Sequence, residues 1–267
     1  MDVVIVTGAS KGIGRQVCIE LLKRQPLIVI AVARSADALQ TLQHDAHVVT
    51  DHAGHSGRLI PISGDITDPP TRDKIIDTAR ATNGRLRALI NNAAALTATG
   101  PILAASPAEL HQIFDTNLLA PIALASQCLP MLQSHQSSRV ILNITSSTSQ
   151  GPVPGFAAYG ATKVSLNYLT QALAAEHPDI TSIAFYPGVV DTQMNKCAYD
   201  VAQKYRKHAE RLDNRMVDMS ATIAKLEEPI SPDRPCAIIA NLALHARHEL
   251  SGKYVVFSDK EMDGYAF

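Results

Sequence analysis

The chain has no tryptophan, and only 4% of its 267 residues are aromatic. Platforms on which a flat ligand could stack are therefore few, with Phe156 and Tyr199 the candidates. Cysteine is sparse as well: Cys18, Cys128, Cys197 and Cys236 lie far apart with no C-x-x-C pair. That pattern argues against zinc or dithiol chemistry and leaves four free thiols, two of them expected in the core. The ten histidines form no H-x-x-x-H pair, so no metal site is expected. The formal net charge is −1 and there is no long basic run, which gives no footprint for nucleic acid or an anionic membrane. No apolar run approaches the roughly eighteen residues that span a bilayer. The opening MDVVIVTGAS lacks a basic segment followed by a long apolar one, so a soluble, cytoplasmic protein is expected.

What is present is a chain 46% hydrophobic, long enough to bury a sizeable core, and expected to form a single domain over residues 1–267. Apolar runs of strand length alternate with longer amphipathic stretches. The expected strands are VVIVT from Val3, LIVIAV from Leu27, RLIPIS from Arg58, RALIN from Arg87, RVILNIT from Arg139, TSIAFYP from Thr181 and KYVVF from Lys253. Helices are expected to begin near Gly12, Ser35, Pro70, Ser106, Ala157, Asp191 and Ser231. Strands apolar on both faces and separated by helices predict an α/β, doubly wound, mostly parallel seven-stranded sheet with helices on both faces. The stretch from about 191 to 230 breaks this rhythm. It is long and charged, follows the sixth strand, and reads either as a substrate lid or as a solvated helix.

The first strand runs into TGASKGIG, with glycines at 8, 12 and 14. Such a turn, between a strand and a helix, lets backbone N–H groups approach a pyrophosphate at the positive end of the helix. The second strand ends Val32-Ala33-Arg34-Ser35, without the acid that would bind a ribose 2′-hydroxyl. A guanidinium there, helped by Lys11, suits a 2′-phosphate and points to NADP(H). The alternative is that Arg34 is an ordinary surface arginine.

Tyr159 and Lys163 are four apart in a helical pattern and share a face. A cation about 4 Å from a phenol, at an effective dielectric near 20, contributes roughly 4 kcal/mol, or about three pKa units. The pair therefore predicts a tyrosine with a lowered pKa, able to donate and accept protons near neutrality. Ser146 follows a strand of its own, thirteen residues before Tyr159, where a hydroxyl faces the ligand crevice of an open α/β sheet. Each piece alone has a plainer reading, as a surface pair or a turn.

Taken together, TGASKGIG, GDITD around Asp65, NNAA at 91–94, Asn117 in FDTNLLAP, Ser146, Tyr159 with Lys163, and YPGVVDT at 186–192 resemble the short-chain dehydrogenase/reductase family over nearly the full chain. Within it, the chain is similar to the sepiapterin reductase and fungal benzil reductase branch. The resemblance implies a Rossmann fold and a catalytic set of Asn117, Ser146, Tyr159 and Lys163. Asn117 would kink its helix and hold a water in a proton relay; Ser146 would bind the carbonyl, Tyr159 protonate it, and Lys163 hold the nicotinamide ribose. The implied cofactor contacts are Gly8, Ser10, Lys11, Gly12, Ile13, Gly14, Arg34, Ser35, Asp65, Ile66, Asn91, Asn92, Ala93, Tyr159, Lys163, Pro187, Gly188, Val190 and Thr192. Plainer roles stay open: Asp65 as a turn cap, Thr192 as a helix cap, Asn91 and Asn92 as partners for buried backbone. Ala94 stands where relatives carry glycine, which implies strain if that backbone has a positive φ. The implied activity is NADPH-dependent reduction of a ketone, aldehyde or α-dicarbonyl by a homodimer or homotetramer. A secondary-alcohol dehydrogenase, or a non-catalytic NADPH-binding regulator, are the alternatives.

Overall fold

A computed structural model of the protein describes residues 1–135, 139–209 and 229–267. Seven strands form one sheet: β1 (Asp2–Thr7), β2 (Leu27–Ala33), β3 (Arg58–Ser63), β4 (Arg85–Asn91), β5 (Val140–Ile144), β6 (Thr181–Tyr186) and β7 (Tyr254–Val256). Their order is β3-β2-β1-β4-β5-β6-β7, and every pairing is parallel. The chain reverses direction across the sheet between β1 and β4. Open α/β sheets bind their ligands at such a switch, outside the carboxyl ends of the strands.

The expected strands all form, though β4 begins two residues earlier than Arg87, at Arg85, where the chain pairs with Asp2 of β1. Among the described residues the longer helices are α1 (Gly12–Arg24), α2 (Ala36–Ala53), α3 (Pro69–Ala81), α4 (Pro107–Phe114), α5 (Ala120–Gln133), α6 (Ala157–Glu176), α7 (Gln193–Ala209) and α8 (Asp233–His245). The helix starts are fixed by local chemistry. The Ser35 hydroxyl accepts from the Ala38 N–H at the head of α2. Ser106 and Glu109 form a capping box at α4. Helix α4 runs into α5 through a single wide turn, Asp115–Leu119, which has π geometry. The helical stretch expected from Ser106 is thus interrupted by a π turn, and Asn117 sits in it.

The sheet is covered on both faces. One side packs α1, α2 and α8 against it, with Val4, Val6, Leu21, Val29, Ile239 and Phe185 at the centre; the other packs α3 and α5 around Val3, Ile5, Ile75, Leu89, Leu124 and Ile141. Three cysteines are buried, not the two expected, because Cys18, Cys128 and Cys236 fall on the inward stripes of α1, α5 and α8. Only Cys197 is exposed among them. No described helix is long and apolar enough to cross a membrane.

Of the expected insertion at 191–230, residues 193–209 form α7, and 210–228 lie outside the described residues. Its two ends meet. The Ile230 N–H donates to the Val189 carbonyl at 2.8 Å, and the Asp191 N–H to the Ile230 carbonyl at 3.0 Å.

Candidate active site

The glycine loop follows directly from β1 and has little freedom to carry side chains. Gly8 has φ +67°, and a Cβ there would lie 2.8 Å from the Ala93 Cα. A Cβ at Gly14 would collide with the Gly8 carbonyl. The Asn92 amide donates to the carbonyls of Thr7 (2.8 Å) and Gly8 (3.3 Å), and the Thr7 hydroxyl accepts from the Asn92 and Ala93 N–H groups at 3.0 Å. The end of β4 is thereby fastened beneath the loop. Helix α1 then starts without a side-chain cap or an acid in its first turn, and Lys11 at its head is exposed. Ser10 and Ile13 flank the same turn, with Ile13 packed on the core. This cradle admits backbone only, and its free N–H groups and missing acid fit a pyrophosphate.

Two expected contacts flank it. Arg34, at the tip of β2, is 76% exposed at its side chain, and its Nη1 lies 3.9 Å from Asp65 Oδ2. The other Asp65 oxygen accepts from the Thr67 N–H (3.0 Å) and hydroxyl (2.9 Å), so Asp65 also makes the turn expected as its plainer role. Ile66 beside it is buried. Across the loop, the Thr192 methyl would stand 3.2 Å from a Cβ on Gly12, which brings the β6 loop against the glycine turn. Thr192 Oγ1 also accepts from the Asn195 N–H at 3.3 Å, a helix-cap bond. Pro187 precedes Gly188, whose φ of +81° and contact with Phe257 leave no space for a side chain, and Val190 bridges to Ile230.

Asn91 is placed differently. Its amide is buried and donates to Asn143 Oδ1 (2.8 Å), and Asn143 in turn donates to Thr170 Oγ1 of α6 (2.9 Å). Its side chain joins β4, β5 and α6 inside the molecule and does not reach the crevice. Ala94 is unstrained: among the described residues the only non-glycine positions with positive φ are Asn83 and Ala98.

At the carboxyl end of β5, Ser146, Tyr159 and Lys163 come together. Helix α6 presents Tyr159 and Lys163 one turn apart, and Ser146 stands close enough to the Tyr159 phenol to favour its ionised form. The Lys163 ammonium is buried, donates to the Ile144 carbonyl at 2.8 Å and lies 5.5 Å from the centre of the Tyr159 ring. Asn117, fully buried in the π turn, accepts from the Ala95 N–H (2.7 Å) and donates to the Ala95 carbonyl (3.0 Å) and Thr162 Oγ1 (3.2 Å). Thr162 Oγ1 donates to the Tyr159 carbonyl at 2.7 Å, so the Asn117 side chain is spent on fixing the helix turn that carries the tyrosine.

The expected lowering of the tyrosine pKa is not what the surroundings produce. Burial pushes Tyr159 up to about 12, opposed by Ser146 and reinforced by Tyr186. Burial pushes Lys163 down to about 8. The simple charge–phenol argument omitted desolvation, which here penalises both ionised forms. Tyr159 packs against the buried cluster of Ala98, Ile113 and Ala158, and the lysine head is turned to a strand carbonyl. The phenol is consequently held protonated across the neutral range.

Sequence reasoning passed over Thr7, Asn143, Thr145, Thr162 and Asn167, all of which bind the site's framework. The polar Asn143 inside the apolar strand VILNI was the visible signal.

Parallel sheet, glycine cradle and the serine–tyrosine–lysine group define a nicotinamide-dependent oxidoreductase of the Rossmann type. Residues 2–202 match the short chain dehydrogenase family, and the chain belongs to it. Among its relatives is a benzil reductase ((S)-benzoin forming) of Saccharomyces cerevisiae, 27% identical, with 97% of each chain covered. A benzil reductase of Bacillus subtilis is 28% identical over 79% of this chain and 84% of its own. Among solved structures, the enzyme KRED1-Pglu is 32% identical, with a TM-score of 0.78, 96% of this chain and all of that chain covered.

Proposed function

We propose that the protein is an NADPH-dependent carbonyl reductase acting on a ketone, aldehyde or α-dicarbonyl. The observation that carries the reading is the convergence of Ser146, Tyr159 and Lys163 at the carboxyl end of β5. The names of the yeast and bacterial relatives support an α-dicarbonyl such as benzil.

The cradle of Gly8, Gly12 and Gly14 would hold the pyrophosphate, Arg34 and Lys11 a 2′-phosphate, Asp65 and Ile66 the adenine, and the 187–192 loop the nicotinamide end. Bound NADPH supplies the hydride to the carbonyl carbon. Tyr159 gives its phenolic proton to the carbonyl oxygen as negative charge develops there, and Ser146 donates a hydrogen bond to the same oxygen that strengthens in the transition state. A protonated phenol is the form that can give a proton to the carbonyl oxygen. Lys163 sits beside the phenol to compensate the phenolate left behind. The stretch 191–230, of which 210–228 lie outside the described residues, is the candidate substrate lid, and the exposed Leu119 in the π turn, Ile122 on α5, and Val164 and Tyr168 on α6 would pack against a second copy.

The test follows NADPH and NADH oxidation with benzil, a simple diketone, an aromatic aldehyde, sepiapterin and a keto-steroid. Reduction of at least one, with NADPH preferred by about tenfold, is expected. Failure on every carbonyl despite measurable NADPH binding would refute the reductase assignment.

A further inference from the structure

Ser146 can act on the phenol or on a carbonyl only if its hydroxyl is held within a few tenths of an ångström. It lies in a turn, not in a strand or long helix, so something must hold that turn. The bonds that do so converge on one residue of α6. Asn167 stands four after Lys163, one turn further along the helix. Its Oδ1 accepts from the Thr145 hydroxyl at 2.8 Å, and its Nδ2 donates to Ser149 Oγ at 2.9 Å. Ser149 Oγ donates onward to the Ser146 carbonyl at 2.6 Å, and the Ser149 N–H donates to that carbonyl at 3.0 Å. The Thr148 N–H donates to Ser146 Oγ at 3.2 Å, which occupies a lone pair and leaves the serine proton to be directed elsewhere.

The residues before and after Ser146 are thus both tied to a single amide, on the helix that also carries Tyr159 and Lys163. Asn167 accepts through Oδ1 and donates through Nδ2, so both ends of its amide are used, and the Thr145 hydroxyl also lies 3.4 Å from the Lys163 carbonyl. We propose that Asn167 is a positioning residue that sets the approach of Ser146 to Tyr159. The role rests on the reductase reading only for its kinetic consequence; the Ser146 turn that Asn167 fixes exists without turnover.

The decisive comparison uses Ser146→Ala, Asn167→Ala and their double variant in the full chain, with Thr145→Val as a second way of cutting the tie. In NADPH-dependent carbonyl reduction, Asn167→Ala lowers kcat by about tenfold with the NADPH dissociation constant unchanged within about twofold. In the Ser146→Ala background the same change has little further effect, because it acts through the missing hydroxyl. Additive losses, or a loss confined to NADPH binding, overturn the proposal. A readout independent of activity is NMR of tyrosine labelled at Cζ, with the Tyr159 signal assigned by Tyr159→Phe. Ser146→Ala, Asn167→Ala and Thr145→Val all shift that signal in one direction if the proposal is right. An unmoved Tyr159 signal in both clamp variants refutes it, even where the wild-type protein reduces no carbonyl and the functional reading itself has fallen. If Asn167→Ala fails to fold, Thr145→Val alone carries the same two measurements.

Discussion

Lys163 is an ammonium surrounded by protein, and its cost to folding depends on pH in a defined direction. Its native pKa of about 8 lies below the ordinary lysine value, so between about 8 and 10.5 the unfolded chain binds more protons than the native one, and stability rises with pH. Tyr159, raised to about 12, works oppositely: above about 10 the unfolded chain has lost a proton the native one keeps, and stability falls. Wild type is therefore expected to gain stability from pH 8 towards 10 relative to Lys163→Met, by up to about 3 kcal/mol. Parallel denaturant titrations read this, and identical slopes for the two proteins would contradict it. Tyr159→Phe keeps the packing of the ring and removes the proton, so kcat should fall by at least about a hundredfold with NADPH binding retained. Arg34 pairs only loosely with Asp65, and exposed pairs are weak, so the guanidinium remains available to a phosphate. Arg34→Ala should weaken NADPH binding by about tenfold and leave NADH within twofold; an unchanged NADPH affinity would return Arg34 to the surface arginines.

The order of strands and helices was readable from periodicity because apolar runs buried on both faces have few other uses. The turn chemistry was readable too: Gly8, Gly12 and Gly14 have the conformations or close approaches for which glycine is needed. What escaped was polar and buried. The resemblance implies Asn91 as a cofactor contact, whereas its side chain is engaged in the Asn143–Thr170 chain, and one residue of register separates it from Asn92 in the loop network. Nor could spacing alone reveal that the tyrosine and lysine would be desolvated together, since that depends on Ala98 and Ile113 from remote segments. The Asn91–Asn143–Thr170 chain should matter for stability more than for chemistry. Thr170→Val leaves a buried amide donor without its acceptor and is expected to cost about 1–3 kcal/mol, seen as a lowered denaturation midpoint with KM for NADPH unchanged.

Helix α6 serves two surfaces at once: one face carries Tyr159 and Lys163, while Val164 and Tyr168 stand 50% and 73% exposed. A second copy seated on that outer face would stiffen the helix that aims the tyrosine. Light scattering is expected to give a multiple of the 28.7 kDa chain, and Tyr168→Glu to shift it towards the monomer. A wild-type monomer would remove the assembly from the account.

The closed base of the stretch after β6 has a further meaning. Val189 and Asp191 on the outgoing chain are both hydrogen-bonded to Ile230 on the returning one, beyond the end of β6, so the intervening residues begin and end at one point. The entropy of closing that excursion is met at its foot and grows only slowly with its length. The segment is in that sense a cassette. A change of length or sequence between residues 193 and 229 would start and finish at that same foot, with Thr192 still against the glycine turn and the serine–tyrosine–lysine group untouched.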